Sequence, residues 1–218
     1  MTNHGPMNHA VLLFGHADLT SFNHDLAAAY ADGFTAAGGM VERFDLAALQ
    51  FDPILRHGYR AEQPLEPDLV RVRAAIERAD HLAWVFPTYW ASPPTVVRGL
   101  VDRLLLPGWA FRFDGHALPT GLLRGRSARV ITTMDSPAWW YRLMLRSPIH
   151  HSFGRATLRF CGLAPVELTT VHGVRGLAAG KRAAWVERAR GLGQRDGARR
   201  PQPRPAGVGV AALPAAEG

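Results

Sequence analysis

The sequence predicts an α/β protein, a three-layer sandwich around a parallel sheet, and three observations carry that prediction. Five short apolar runs recur at 9–15, 40–44, 81–86, 127–133 and 165–171. Segments with helical spacing of apolar residues separate them. Glycine, proline or a polar cluster closes the runs, as expected of buried strands that end in loops.

Each element has its own reason. H-A-V-L-L-F-G at 9–15 is short, apolar and glycine-terminated. A polar turn follows, Ser21 or Asn23 caps a helix over about 24–37, and Gly38-Gly39 ends it. Leu26, Tyr30 and Phe34 form one stripe of that helix. With the strand at 40–44 this makes a βαβ unit, whose crossover is right-handed and whose strands are parallel. Residues 47–67 hold Pro53, Gly58, Pro64 and Pro67, with Phe51, Ile54 and Leu55 as anchors. They read as an excursion over the sheet edge or over a neighbouring subunit.

A helix over 68–78 turns Leu69, Val72 and Ile76 inward, and one over 95–105 aligns Val96, Leu100 and Leu104. Residues 106–126 are rich in glycine and proline but carry Trp109, Phe111 and Phe113, too apolar for a plain linker. Residues 142–161 read as mostly helical, with Pro148 near the start or at a kink. The last helix, 181–192, turns Trp185 and Ala189 inward. The expected domain is 9–193. Residues 194–218, rich in Arg, Pro, Gly and Ala with no apolar period, are expected to form a disordered tail.

A chain of 218 residues, 47% hydrophobic, can bury one full core. No stretch nears the roughly 18 apolar residues of a membrane span. The start lacks the pattern of a secretory signal. A single cysteine, Cys161, excludes an internal disulfide and fits a cytoplasmic location. The net charge of +7 comes from arginines spread along the chain, Lys181 being the one lysine. No nucleic-acid motif accompanies them, so no nucleic-acid partner is expected; they suit solvated faces and phosphate-bearing cofactors.

Ligands of open parallel sheets bind beyond the carboxyl ends of the strands. Three loops leave such ends, at 16–23, 87–94 and 134–141. The first offers Ser21, Asn23 and helix N-terminal amides, which bind phosphate or merely cap the helix. His16 alone reads as structural. The second offers backbone amides after Pro87 and the rings of Tyr89 and Trp90, which hold a flavin ring or pack in a core or interface. The third offers Thr132, Thr133, Met134 and Asp135, then Trp139, Trp140, Tyr141 and Arg142. No metal site, P-loop, G-x-G-x-x-G or G-x-S-x-G is present, and Cys161 reads as core.

These loops, in this order, resemble the flavodoxin-like NAD(P)H:quinone oxidoreductase family. The matching stretches include His16 with Ser21-Phe22-Asn23, Phe51-Asp52-Pro53, Leu65-E-Pro67-Asp68 and Phe86-Pro87-Thr88-Tyr89-Trp90. Further matches are Gly99-L-V-Asp102-Arg103, Leu106-Pro107-Gly108, Thr132-Thr133-Met134-Asp135 and Phe160-Cys161-Gly162. The resemblance spans about 9–175. It implies sheet order 2-1-3-4-5, a homodimer, FAD (with FMN the alternative), and NADPH or NADH as co-substrate of a two-electron ping-pong quinone reduction. It implies that His16, Ser21, Phe22 and Asn23 hold the phosphate and ribityl region. Pro87, Thr88, Tyr89 and Trp90 would hold the ring, with Thr132, Thr133, Met134 and Asp135 opposite. Met134-Asp135-Ser136-Pro137 stands where the mammalian branch has glycines, and Tyr141 and His150 are the counterparts of its catalytic tyrosine and histidine, at altered spacing. A second implied role is that of a regulatory subunit of a potassium efflux transporter, the one route by which a membrane would be involved.

Overall fold

The computed structural model describes residues 7–115 and 119–204. In chain order its strands are β1 (His9–Phe14), β2 (Met40–Asp45), β3 (His81–Pro87), the two-residue β4 (Phe111–Arg112) and β5 (Thr120–Gly121), β6 (Ser127–Met134) and β7 (Val166–His172). Five form a parallel sheet in the order β2-β1-β3-β6-β7, which is 2-1-3-4-5 when those five alone are counted. β4 and β5 pair as an antiparallel ribbon within the aromatic excursion.

Helices α1 (Phe22–Ala36) and α4 (Ala179–Gly197) cover one face. The other carries α2 (Pro67–Arg78), α3 (Thr95–Leu104) and a wide π-type helical segment, His150–Arg159. All of β3 is buried, because strands flank it and helices cover both its faces. Its side chains alternate: Leu82, Trp84 and Phe86 enter the core under α2 and α3, while Ala83 and Val85 face α1 and α4. On α3 the buried stripe runs through Val97, Leu100 and Leu104, with Val96 only half-buried.

The excursion after β2 is braced from inside. Arg103 of α3 is fully buried; its Nη1 donates to the Asp52 carbonyl at 2.5 Å and Glu66 Oε1 at 3.0 Å. Its Nη2 donates to the Pro64 carbonyl at 2.8 Å and Glu66 Oε2 at 3.0 Å. A bidentate carboxylate thus neutralises a guanidinium that burial would otherwise penalise. One turn earlier, Gly99 leaves no room for a Cβ against Pro53. The stretches around Asp52, Glu66, Gly99 and Arg103 therefore form one structural clamp.

Two expectations need correction. The helical stretch after the third loop is interrupted, not merely kinked: Trp140–Met144 and His150–Arg159 flank a break where Arg146 and Ser147 have φ of +55° and +51°, just before Pro148. The composition-based tail boundary at 194 also fails. Helix α4 continues to Gly197, and Asp196 is 1% exposed. Arg129 donates to Asp196, as does the Tyr30 hydroxyl at 2.8 Å. Beyond the helix, Arg199 pairs with Glu167 at 2.8 Å and Arg204 pairs with Asp80. One acid within an arginine-rich segment was enough to anchor it. The remainder, 205–218, lies outside the described residues.

At this amino-terminal edge of the sheet, His81 Nε2 lies 2.8 Å from the Tyr30 hydroxyl and Nδ1 lies 2.8 Å from Ser127 Oγ. Burial pushes its pKa from 6.5 to about 4, opposed by Asp196 and reinforced by Arg129 and Arg199.

Arg103→Met is expected to cost about 3 kcal/mol in urea unfolding, because Glu66 and two carbonyls lose their partner; a loss near zero would remove the clamp. For His81 the folded pKa lies below the unfolded one, so the unfolded chain binds more protons between them. Stability is expected to fall as pH drops from about 6.5 towards about 4. His81→Asn should flatten that part of the urea-midpoint profile.

Candidate functional site

Right-handed crossovers bring the carboxyl ends of β1, β3, β6 and β7 to one edge of the sheet. The loops that leave them enclose a cleft of about 830 Å³.

Beyond β3 the chain makes a two-residue turn. The Tyr89 N–H donates to the Ser92 carbonyl at 3.0 Å, and the Ser92 N–H to the Tyr89 carbonyl at 2.9 Å. Trp90 and Ala91 at its tip have φ of +50° and +59°, the pattern of a type I′ turn, which favours Asn-Gly. Neither residue is suited to that conformation, so the turn is strained. Among the described residues, the N–H groups of Trp90 and Ala91 have no hydrogen-bond partner. Trp90 is 100% exposed and Tyr89 half-exposed, so neither ring is core packing in this chain.

Threonines tie the loops together. The Thr88 and Thr132 hydroxyls lie 2.7 Å apart, the Thr88 N–H donates to the Thr133 carbonyl at 2.7 Å, and the Thr133 hydroxyl donates to Asn23 Oδ1 at 3.1 Å. Thr133, Met134 and Asp135 line the cleft together with Pro87, Thr88, Tyr89 and Trp90. Thr132 is fully buried beneath it and serves Thr88 instead.

Tyr141 and His150 meet despite their unusual spacing. The Tyr141 hydroxyl accepts the Ile149 N–H at 3.2 Å and lies 3.3 Å from His150 Nδ1. Burial pushes the hydroxyl's pKa up and the imidazole's down, the latter helped by His151 and Arg142. Both shifts favour the neutral forms, and the imidazole tautomer sets which of the two groups donates. Tyr141 lines the cleft; His150 stands behind it.

The first loop is wound on itself. His16 Nδ1 accepts the Asp18 N–H at 2.9 Å, and Asp18 Oδ1 accepts the Thr20 N–H and hydroxyl, both at 2.7 Å. Those donors hold the Asp18 carboxyl below its usual pKa. Ser21 follows the capping reading: its hydroxyl donates to the Asp18 carbonyl at 2.7 Å and accepts the His24 N–H at 3.3 Å. The first N–H groups of α1, at Phe22 and Asn23, have no intrahelical partner and point towards this loop. Asn23 lines the main cleft, whereas Phe22 and Thr20 line a neighbouring groove of about 590 Å³ between α1 and α4. There the Arg182 guanidinium lies 5.2 Å from the Phe22 ring centre.

Sequence reasoning missed the fourth loop. Val174 and Arg175, after β7, line the cleft with Ser136, Trp140 and Leu145. Gly173, at φ +65° directly after the fifth apolar run, was the available signal. It also missed His172, whose Nδ1 donates to the Ser136 carbonyl at 3.0 Å and whose ring centre lies 5.5 Å from that of Tyr141. Its Nε2 is buried without a hydrogen-bond partner among the described residues.

A flavin fits these residues in three respects. The cleft is large enough for a flat ring system, Trp90 and Ala91 with their unbonded N–H groups line it, and it reaches the N-terminus of α1 at Asn23. One feature runs against it: Asp18 already occupies the Thr20 donors.

Fold and cleft together define an α/β protein of the open parallel class with its site at the strand-order switch. Residues 8–192 match the family model described as flavodoxin-like fold, and the chain belongs to that family. It is similar to ribosyldihydronicotinamide dehydrogenase (quinone) of Pongo abelii, 27% identical over 215 residues, covering 82% of this chain and 89% of the relative. Among solved structures, an NAD(P)H:quinone oxidoreductase from Methanothermobacter marburgensis superposes with a TM-score of 0.74 at 23% identity, over 86% of this chain and 98% of that one. An FMN-dependent NADH-azoreductase from Bacillus anthracis, in complex with FMN, gives 0.67 at 14% identity, over 87% and 99%. The two structures establish the shared fold.

Ala91→Gly is expected to stabilise the ligand-free protein by about 1 kcal/mol, since glycine adopts positive φ without the Cβ penalty. A lower urea midpoint would show that the turn is not strained.

Proposed function

We propose that this chain is a flavin-dependent NAD(P)H:quinone oxidoreductase working by two-electron, ping-pong turnover, with NADPH or NADH as donor. The observation that supports it most is the strained turn at Trp90-Ala91, whose N–H groups have no hydrogen-bond partner among the described residues and whose exposed indole lines the same cleft as Tyr141. The names of the relatives point the same way.

When bound, a flavin would supply the hydride-accepting and electron-returning chemistry. The protein's part is to bind, orient and handle protons. Pro87, Thr88, Tyr89 and Trp90 would hold the ring by backbone donors and stacking, with Thr133, Met134 and Asp135 on the opposite wall and Thr132 supporting Thr88. Asn23 and the first amides of α1 would take the phosphate, with His16, Ser21 and Phe22 shaping that loop. A neutral Tyr141 hydroxyl can donate a proton into the cleft, with His150 Nδ1 3.3 Å from that hydroxyl to orient it.

FAD is favoured over FMN because the groove at Phe22 and Arg182 continues from the phosphate loop and has room for an adenine nucleotide. A homodimer is favoured because Trp90, Trp139, Leu143 and Met144 leave an apolar rim exposed around the cleft. No helix among the described residues is long and apolar enough to cross a membrane. The lone, buried Cys161 accords with the reducing compartment of a cytoplasmic protein.

Purified protein is expected to bind flavin, with its visible absorbance, and to oxidise NADPH or NADH when menadione is supplied. Trp90→Ala should weaken flavin retention yet change flavin-free stability by no more than about 0.5 kcal/mol, as for an exposed side chain. Failure to take up flavin would end this reading.

A further inference from the structure

Charge enters the cleft at one place. Of the described residues lining it, only Asp135 and Arg175 carry ionised side chains. The rest of the wall is aromatic, aliphatic or neutral polar, as at Tyr89, Trp140 and Leu145.

The two charges are differently placed. Asp135 Oδ1 accepts the backbone N–H of Arg175 at 2.7 Å, which fastens the loop after β7 to the loop after β6. Oδ2 lies 3.5 Å from Arg175 Nη2, outside good hydrogen-bond range. The carboxylate is thus turned to the loop it holds. Arg175 itself sits in the short turn Val174–Gly176, which Gly173 starts in the left-handed region, and its side chain is 91% exposed. Its guanidinium keeps most of its donors, in the planar fork that matches phosphate, carboxylate and sulfonate.

Resting on the quinone-reductase reading, we propose that Arg175 is a specificity residue that selects substrates with an anionic group that reaches the rim of the cleft. That chemistry has two sources: the 2′-phosphate of the nicotinamide donor, or an acidic substituent on the acceptor. Both would approach from the open mouth where Arg175 stands. Asp135 acts through Arg175, as the positioning residue that keeps the cation at the rim.

The test is equilibrium binding to the full chain, followed by the fluorescence of the cleft tryptophans, with two ligand pairs: NADP+ against NAD+, and a sulfonated naphthoquinone against its neutral parent. The expected result is that the more anionic member of one pair binds about fivefold more tightly, a preference that shrinks as salt is raised. Whichever pair shows it identifies the source. Arg175→Gln should abolish the preference and Arg175→Lys should retain part of it. Equal binding within both pairs, or a preference that survives Arg175→Gln, would overturn the proposal. Because binding is read without turnover, a chain that failed to reduce quinones would count against the functional reading alone.

Discussion

The register of β3 between β1 and β6 is the constraint on which the rest depends. Phe14 pairs with Val85, Phe86 with Thr132 and Pro87 with Thr133, so three strands end together. Parallel strands joined by right-handed crossovers leave their carboxyl ends no other edge to occupy. Pro87 has no N–H to donate, and Thr88 makes the next bond to β6 by donating to the Thr133 carbonyl at 2.7 Å. From that point the chain must turn away, and the turn forms the cleft.

The polar groups are divided between the two edges. At the amino-terminal edge, Tyr30, His81, Arg129 and Asp196 are buried and mutually bonded. Such a network is costly when half-satisfied and rigid when complete, and it joins the end of α4 to the sheet. Arg103 does the same for the excursion after β2. At the opposite edge, the Trp90 and Ala91 N–H groups and His172 Nε2 have no hydrogen-bond partner among the described residues. Polar groups are thus buried and mutually bonded at one edge, and line a cleft at the other.

Strain follows the same division. Among the described residues, Trp90, Ala91, Arg146 and Ser147 are the non-glycine residues with positive φ. The first pair lines the cleft, and the second directly follows Leu145, which also lines it. Local preference would place glycine or asparagine there. Tertiary packing holds these residues in place, and sites that bind ligands are where such local violations concentrate.

The sequence by itself determined the five strands, the helices between them and the family, because a buried strand needs an apolar run and a parallel crossover needs a helix of sufficient length. It also named loops that do meet. Tertiary structure decided which residues in those loops face the cleft. Ser21 and Thr132 bear the right side chains but spend them on the helix cap and on Thr88. For Arg175 the local signal was only the neighbouring Gly173, and the place of Arg175 and His172 depends on β7 ending beside β6. The extent of the domain was likewise decided by Asp196 finding Arg129, 67 residues away, a charge pairing that composition cannot register. Periodicity is a local property and survives in one dimension; pairing between distant polar groups exists only once the chain has folded.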